Sequence, residues 1–185
     1  MSLRSFPPAV SKGVRVLVLG SMPGVESLRQ QQYYAHPRNA FWPIMGTLFG
    51  FSPALPYEQR LEALNRAGVA LWDSLAGCER SGSLDSNIRE PVPNDIPGLL
   101  EQYPEIHAVF CNGTASYQFL KKYHGLLFER SDLAIRQLPS TSPAAAVYSF
   151  EQKLKCWTAV KKAIKKTRID MSASARPSAA GYRSR

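Results

Sequence analysis

The run VRVLVL at residues 14–19 limits the possible folds more than any other part of the chain. It is a short apolar segment of the kind buried on both faces of a parallel sheet. Three more such runs follow, VALW at 69–72, HAVFC at 107–111 and LAIRQL at 133–138. Helical patterns separate them: residues 41–51, residues 57–67 closed by Gly68, residues 97–103, and a stretch that follows Asn112 and Gly113 and runs through Tyr123. Residues 144–166 read as a long amphipathic helix with Ser142 as N-cap and Pro143 at its first position. Strands alternating with helices predict an α/β fold, a three-layer α/β/α arrangement around a central four-stranded parallel sheet. The carboxyl ends of its strands, GSMPG, WDS, NGT and LPSTSP, then converge on one edge, where open α/β sheets bind ligands.

The chain's 185 residues, 44% of them hydrophobic, suffice for one domain with a real core, expected over residues 1–166. Its three cysteines are widely spaced and odd in number, which suits small buried thiols in a reducing cytoplasm. No stretch has membrane-spanning length, and the first residues, MSLRSFPPAVSKG, are too polar and proline-broken for a signal peptide, so a soluble cytoplasmic protein is expected. The net charge of +9 is concentrated at the end: residues 161–185 hold eight basic side chains and one acid. Residues 167–185 read as a disordered basic tail, either a solubilising appendage or a nucleic-acid-binding one. The polar stretch CERSGSLDSNIREPVPNDIPG reads as a long loop of hydrogen-bonded turns.

Residues 20–42, GSMPGVESLRQQQYYAHPRNAFW, have the composition of a site. Gly20, Pro23 and Gly24 let the backbone turn sharply and approach a flat ligand. Tyr33 and Tyr34 sit in a polar setting and could present an aromatic face, whereas Phe41 and Trp42 lead into IMGTLFGF and read as core. His36 beside Pro37 is either a turn residue or a functional one. Asn39 is either the N-cap of the following helix or a polar group within the site. In PSTSP, Ser140, Thr141 and Ser142 cap the last helix and also make a ready phosphate site. Several chemistries are excluded. There is no phosphate-cradling GxxxxGK[ST], no dinucleotide GxGxxG, no CxxC, and no GxSxG elbow around Ser21, which reads as a turn hydroxyl. The three histidines are too scattered for a metal site, and none is expected.

Taken in order, GSMPG, YYAHPRNAFW, LWDSL, SLDSNI, PNDI, FCNGTASYQFL and LPSTSPAAA resemble the successive motifs of the hypoxanthine-DNA glycosylases in the uracil-DNA glycosylase superfamily, over about residues 12–160. The first two blocks are also similar to the mismatch-specific uracil glycosylases. Those enzymes carry an asparagine between the first glycine and the proline, where this chain has Ser21 and Met22. The resemblance therefore implies that Asn39 is the catalytic, water-positioning residue. Uracil-specific members open their second motif with a histidine, and Leu138 stands there in this chain. Iron–sulfur members use four cysteines, so no cofactor is implied.

On this resemblance the base pocket comprises Ser21, Met22, Pro23, Gly24, Tyr34, Asp73, Asn112 and Leu138. Tyr34 stacks on the extruded base, and Asp73 and Asn112 either read its edge or cap turns. His36, Ser140, Thr141 and Ser142 hold DNA phosphates. The implied activity is monofunctional hydrolysis of the N-glycosidic bond of hypoxanthine, and of uracil, in double-stranded and also single-stranded DNA, by a monomer with no membrane association. The competing readings are a non-catalytic nucleic-acid-binding module, a uracil/thymine mismatch-directed glycosylase, and a hydrolase of free nucleosides.

Overall fold

The computed structural model describes residues 2–166; the expected basic tail lies outside them. Four short parallel strands form the central sheet: β2 (Val16–Gly20), β3 (Val69–Asp73), β6 (Ala108–Asn112) and β7 (Ala134–Leu138), in the order β3-β2-β6-β7. Side chains alternate along each strand, so each apolar run feeds two cores. Val16, Val18, Val69, Leu71, Phe110 and Leu138 face helices α2 (Phe41–Phe49), α3 (Tyr57–Arg66) and α6 (Phe150–Ile164), where Phe41, Leu64 and Trp157 are fully buried. Leu17, Leu19, Ala70, Val109 and Cys111 face α4 (Ile96–Gln102) and α5 (Thr114–Tyr123) through Leu99, Leu100 and Leu120. Helices therefore cover both faces, as a parallel sheet of continuous apolar runs requires. A fully buried Leu such as Leu17 contributes about 2 kcal/mol through the area it removes from water.

Register decides where the site forms. Gly20 pairs with Asp73 and Asn112 with Leu138, so all four strands end at one level. By the same alternation, these four last residues belong to the face that carries α2, α3 and α6.

Part of the expected loop is folded. After β3 the chain passes Ser74 into β4 (Leu75–Glu79), which pairs antiparallel with β1 (Ser2–Arg4) and with β5 (Arg89–Pro93) in a second sheet, ordered β1-β4-β5. Two register shifts interrupt the β4–β5 ladder, and β5 is an edge strand carrying Pro91 and Pro93. Such a pair lacks the alternating apolar pattern that marks strands in a sequence. A 3-10 turn at Asp85–Asn87 lies between β4 and β5 and folds back over the GSMPG turn. The short helix α1 (Val25–Gln30) follows that turn.

The last helix begins later than the sequence suggests. Its N-cap is Ser149, whose hydroxyl accepts from the Gln152 N–H (3.2 Å) while the Gln152 side chain accepts from the Ser149 N–H (2.8 Å). This capping box satisfies two otherwise unpaired donors, and Ser142 caps no helix. Residues 139–149 instead form irregular backbone held across the sheet edge by contacts from other elements.

Candidate active site

A cavity of about 300 Å³ opens at the carboxyl ends of β2, β3 and β6. Its floor exists because residue 20 is glycine. A Cβ there would overlap the Asp73 carboxylate and sit 3.4 Å from the Tyr34 hydroxyl. Gly113 lets the chain turn out of β6 with φ near 94°, and a Cβ at that position would press on Ser140 at 2.9 Å.

Tyr34 adopts a left-handed backbone conformation (φ 56°), which sparsely populated geometry turns its side chain inward. Its ring stacks on Phe41 at 4.0 Å and 27°, and Phe41 in turn meets Trp42 and Trp157 edge-on. One face of Tyr34 is therefore occupied by the core, the Tyr33 ring lies 6.2 Å away at a tilt of 39°, and Tyr34 lines the cavity. Burial, reinforced by the charge of Asp73, raises the pKa of its phenol far above the ordinary value. The nearby Asn112 amide opposes that shift without closing a well-formed hydrogen bond.

Asn39 sits just before α2. Its Oδ1 accepts from the Phe41 N–H at 3.0 Å, and its own N–H donates to the His36 carbonyl at 2.8 Å. The side chain thus steadies the start of the helix and lines the cavity at once. His36 Nδ1 accepts from the Arg38 N–H (3.1 Å) in a local turn on the cavity wall.

Across the cavity, Asn112 clamps Thr141. Its Nδ2 donates to Thr141 Oγ1 (2.8 Å), and its Oδ1 accepts from the Thr141 N–H (2.9 Å). The Thr141 carbonyl then accepts from the Ala40 N–H (3.0 Å), tying this wall to the residue beside Asn39. Ser140 Oγ accepts from the Ser142 N–H and Ser142 Oγ from the Ala144 N–H, so both hydroxyls keep a proton to donate outward. The ammonium of Lys153, a buried residue of α6, donates to the Ser142 carbonyl at 3.5 Å, and burial lowers its pKa.

Charge beneath the cavity comes from Asp73 and Arg80, both buried, together with Asp85 on the exposed 3-10 turn. Ser21 Oγ donates to Asp85 Oδ1 at 2.6 Å. Arg80 donates to the carbonyls of Gly82 (2.9 Å) and Pro23, while its Nη1 is buried without a partner. Asp73 is 3% exposed, and its Oδ2 has no hydrogen-bond partner. Burial pushes the Asp73 carboxyl up to about 8; the charge of Asp85 adds to this and Arg80 opposes it. The Asp85 carboxyl also rises through burial, against the Ser21 hydrogen bond and Arg80. Below Asp73, Asn94 Nδ2 donates to the Asp73 carbonyl (2.9 Å) and Ser116 Oγ to that of Leu19 (2.8 Å), so the strand ends carry satisfied polar groups.

Residues 7–162 match the family model of the uracil DNA glycosylase superfamily. The chain belongs to that superfamily. Among the relatives of this superfamily member is a "Hypoxanthine DNA glycosylase" of Methanosarcina acetivorans, 34% identical over 161 residues that cover 86% of this chain and 98% of the relative. A protein of the same description from Methanosarcina barkeri is 36% identical over 120 residues, 64% of this chain and 76% of the relative. The solution NMR structure of a candidate uracil DNA glycosylase from Methanosarcina acetivorans superposes with a TM-score of 0.76 at 33% identity. The match covers 90% of this chain and all of that one.

In this superfamily member the cavity brings together Ser21, Met22, Pro23, Gly24, Tyr34, His36, Asn39, Asp73, Asn112, Ser140, Thr141 and Ser142. Leu138 is a correction, because it does not line the cavity. It is 6% exposed and packs in the core cluster that includes Trp157, whose indole N–H donates to the Pro139 carbonyl and closes that edge. Met22, although on the wall, packs into a separate small cluster with Leu75, Cys78 and Ile88. Ser140–Ser142 form serine turns and not a helix N-terminus, so the helix part of the expected phosphate site falls away. Sequence reasoning assigned no role to Asp85, Arg80, Ser83, Glu26 or Lys153. The only available signal was the acid within SLDSNI, because nothing local in the sequence says that this segment folds back on residue 21.

Proposed function

We propose that the protein is a monofunctional DNA glycosylase that hydrolyses the N-glycosidic bond of deaminated bases, hypoxanthine first and uracil more slowly. It acts as a cytoplasmic monomer on duplex DNA, and also on single strands, through one domain over residues 1–166. The observation that carries this reading is the position of the Asn39 amide on the cavity wall, with its Oδ1 steadied by the Phe41 N–H and its Nδ2 making no hydrogen bond among the described residues. Such an amide orients a water molecule but hardly deprotonates one. That suffices where the base departs ahead of attack and positive charge develops on the sugar.

A base leaves the duplex stack at a cost of a few kcal/mol, least when it is mispaired. It enters against the ring of Tyr34, with the GSMPG turn, Asp73 and the remaining amide N–H of Asn112 at its edges. The outward protons of Ser140 and Ser142, with His36 on the rim, hold flanking phosphates. No lysine is among the described residues lining the cavity, which favours direct hydrolysis over an imine route. Hypoxanthine leads because both relatives bear that description, and uracil follows because it shares the carbonyl beside a ring N–H. To test the reading, labelled duplexes containing one inosine, uracil, xanthine or thymine mismatch are incubated with the protein and treated with alkali. Strand breaks at inosine are expected, and intact strands in every duplex would refute the proposal.

A further inference from the structure

Two carboxyl groups face the cavity floor, and their surroundings differ. Asp85 receives the Ser21 hydroxyl proton at 2.6 Å, a bond that favours its ionised form. Asp73 has no such donor. Its Oδ2 is buried and unpartnered, its other oxygen lies over the bare Cα of Gly20, and the three ion pairs among the described residues all lie elsewhere. Where two acids share a site, the one without hydrogen-bond donors keeps its proton. Burial, with the charge of Asp85 adding to it, holds the Asp73 carboxyl near 8. Burial also shifts the phenols of Tyr33, Tyr34 and Tyr57 upward, so none of these three ionises between pH 6 and 9.5. A neutral carboxyl carries a proton to give. Among the described residues Oδ2 has no hydrogen-bond partner, so that proton is not engaged by the protein.

We infer that Asp73 is the general acid for purine release: resting on the glycosylase reading above, its O–H delivers a proton to N7 of the extruded hypoxanthine as the C1′–N9 bond breaks. The bonding pair of C1′–N9 stays on the base, the Asp73 O–H bond breaks and an N7–H bond forms, so the base departs neutral and Asp73 is left as carboxylate. The water held by Asn39 adds to C1′ and loses one proton, which balances the one taken from Asp73. Uracil differs in kind. It leaves as an anion delocalised over two carbonyl oxygens and has no basic ring nitrogen to protonate. Asp73 therefore acts as an acid for the purine substrate alone.

The test compares single-turnover release of hypoxanthine and uracil by the full-length protein at saturating concentration from pH 6 to 9.5, for the native chain and for Asp73→Asn. In the native protein hypoxanthine release should fall about tenfold per pH unit above about pH 8, while uracil release stays level. Asp73→Asn should lower hypoxanthine release by about 100-fold or more and make it independent of pH, as loss of a general acid does. Parallel pH profiles for the two bases in the native protein would overturn the assignment, and so would hypoxanthine release in Asp73→Asn that still falls above about pH 8. Should the variant fail to fold, the native profiles alone decide. Release of neither base by the native protein would instead sink the glycosylase reading on which this one rests.

Discussion

Replacing Asn112 tests whether this side chain holds the wall of the site or only reads a ligand. In Asn112→Ala two hydrogen bonds to Thr141 disappear, each worth about 1 kcal/mol net. The Thr141 N–H is also stranded in a residue that is 1% exposed, which costs roughly 1–3 kcal/mol more. Because the Thr141 carbonyl also holds the Ala40 N–H, little relaxation can offset this loss. The expected destabilisation is about 3–5 kcal/mol, read as a lower urea midpoint at unchanged slope. Thr141→Val removes only the hydroxyl and should cost about 1 kcal/mol, with a coupling energy of about 1 kcal/mol or more in the double-mutant cycle with Asn112→Ala. Asn112→Asp separates the two roles. The Thr141 hydroxyl can turn and donate to the new carboxylate, so stability should stay within about 1 kcal/mol of native, while the amide N–H offered to the base is lost and excision falls. A loss below about 0.5 kcal/mol in Asn112→Ala would refute the clamp, because surface substitutions without a structural role fall in that range.

Asn39→Ala should slow single-turnover excision by about 100-fold or more while duplex affinity and thermal midpoint stay near native; near-normal excision would remove Asn39 from the mechanism. Tyr34→Ala should weaken lesion binding by about 1–3 kcal/mol and Tyr34→Phe much less, so equal damage in titrations of both variants would transfer the role to the hydroxyl. Deleting residues 167–185 removes four arginines and one aspartate, so the salt dependence of DNA binding should become shallower, with excision at saturation retained. The stability difference between Asp73→Asn and the native protein should grow as pH rises from about 4 to 8. The folded-state pKa of Asp73 lies above its unfolded value, so the native chain alone loses stability across that window; a difference that stays constant in denaturant melts at pH 5 and 8 would contradict the buried neutral carboxyl.

The parallel sheet was legible in the chain because VRVLVL, VALW and HAVFC are apolar over most of their length and a sheet covered on both faces buries such runs, while LAIRQL, with Arg136 and Gln137 exposed, is its least apolar strand. The sequence also pointed to the edge where the cavity opens, since the residues that follow those runs must meet at the carboxyl ends of the strands. Tertiary structure decided what depends on partners distant in the chain. Ser21 and Asp85 are 64 residues apart, and Asn112 and Thr141 are 29 apart. Neither pairing leaves a periodic trace in the chain. The second sheet was hidden for the same reason: bulged, proline-bearing edge strands are stabilised by their neighbours and not by their own pattern. Leu138 shows the limit most sharply. It ends its strand level with Asn112, yet Trp157 and the Pro139 carbonyl close the core over that edge, so one residue of the pair lines the cavity while the other is packed away from it.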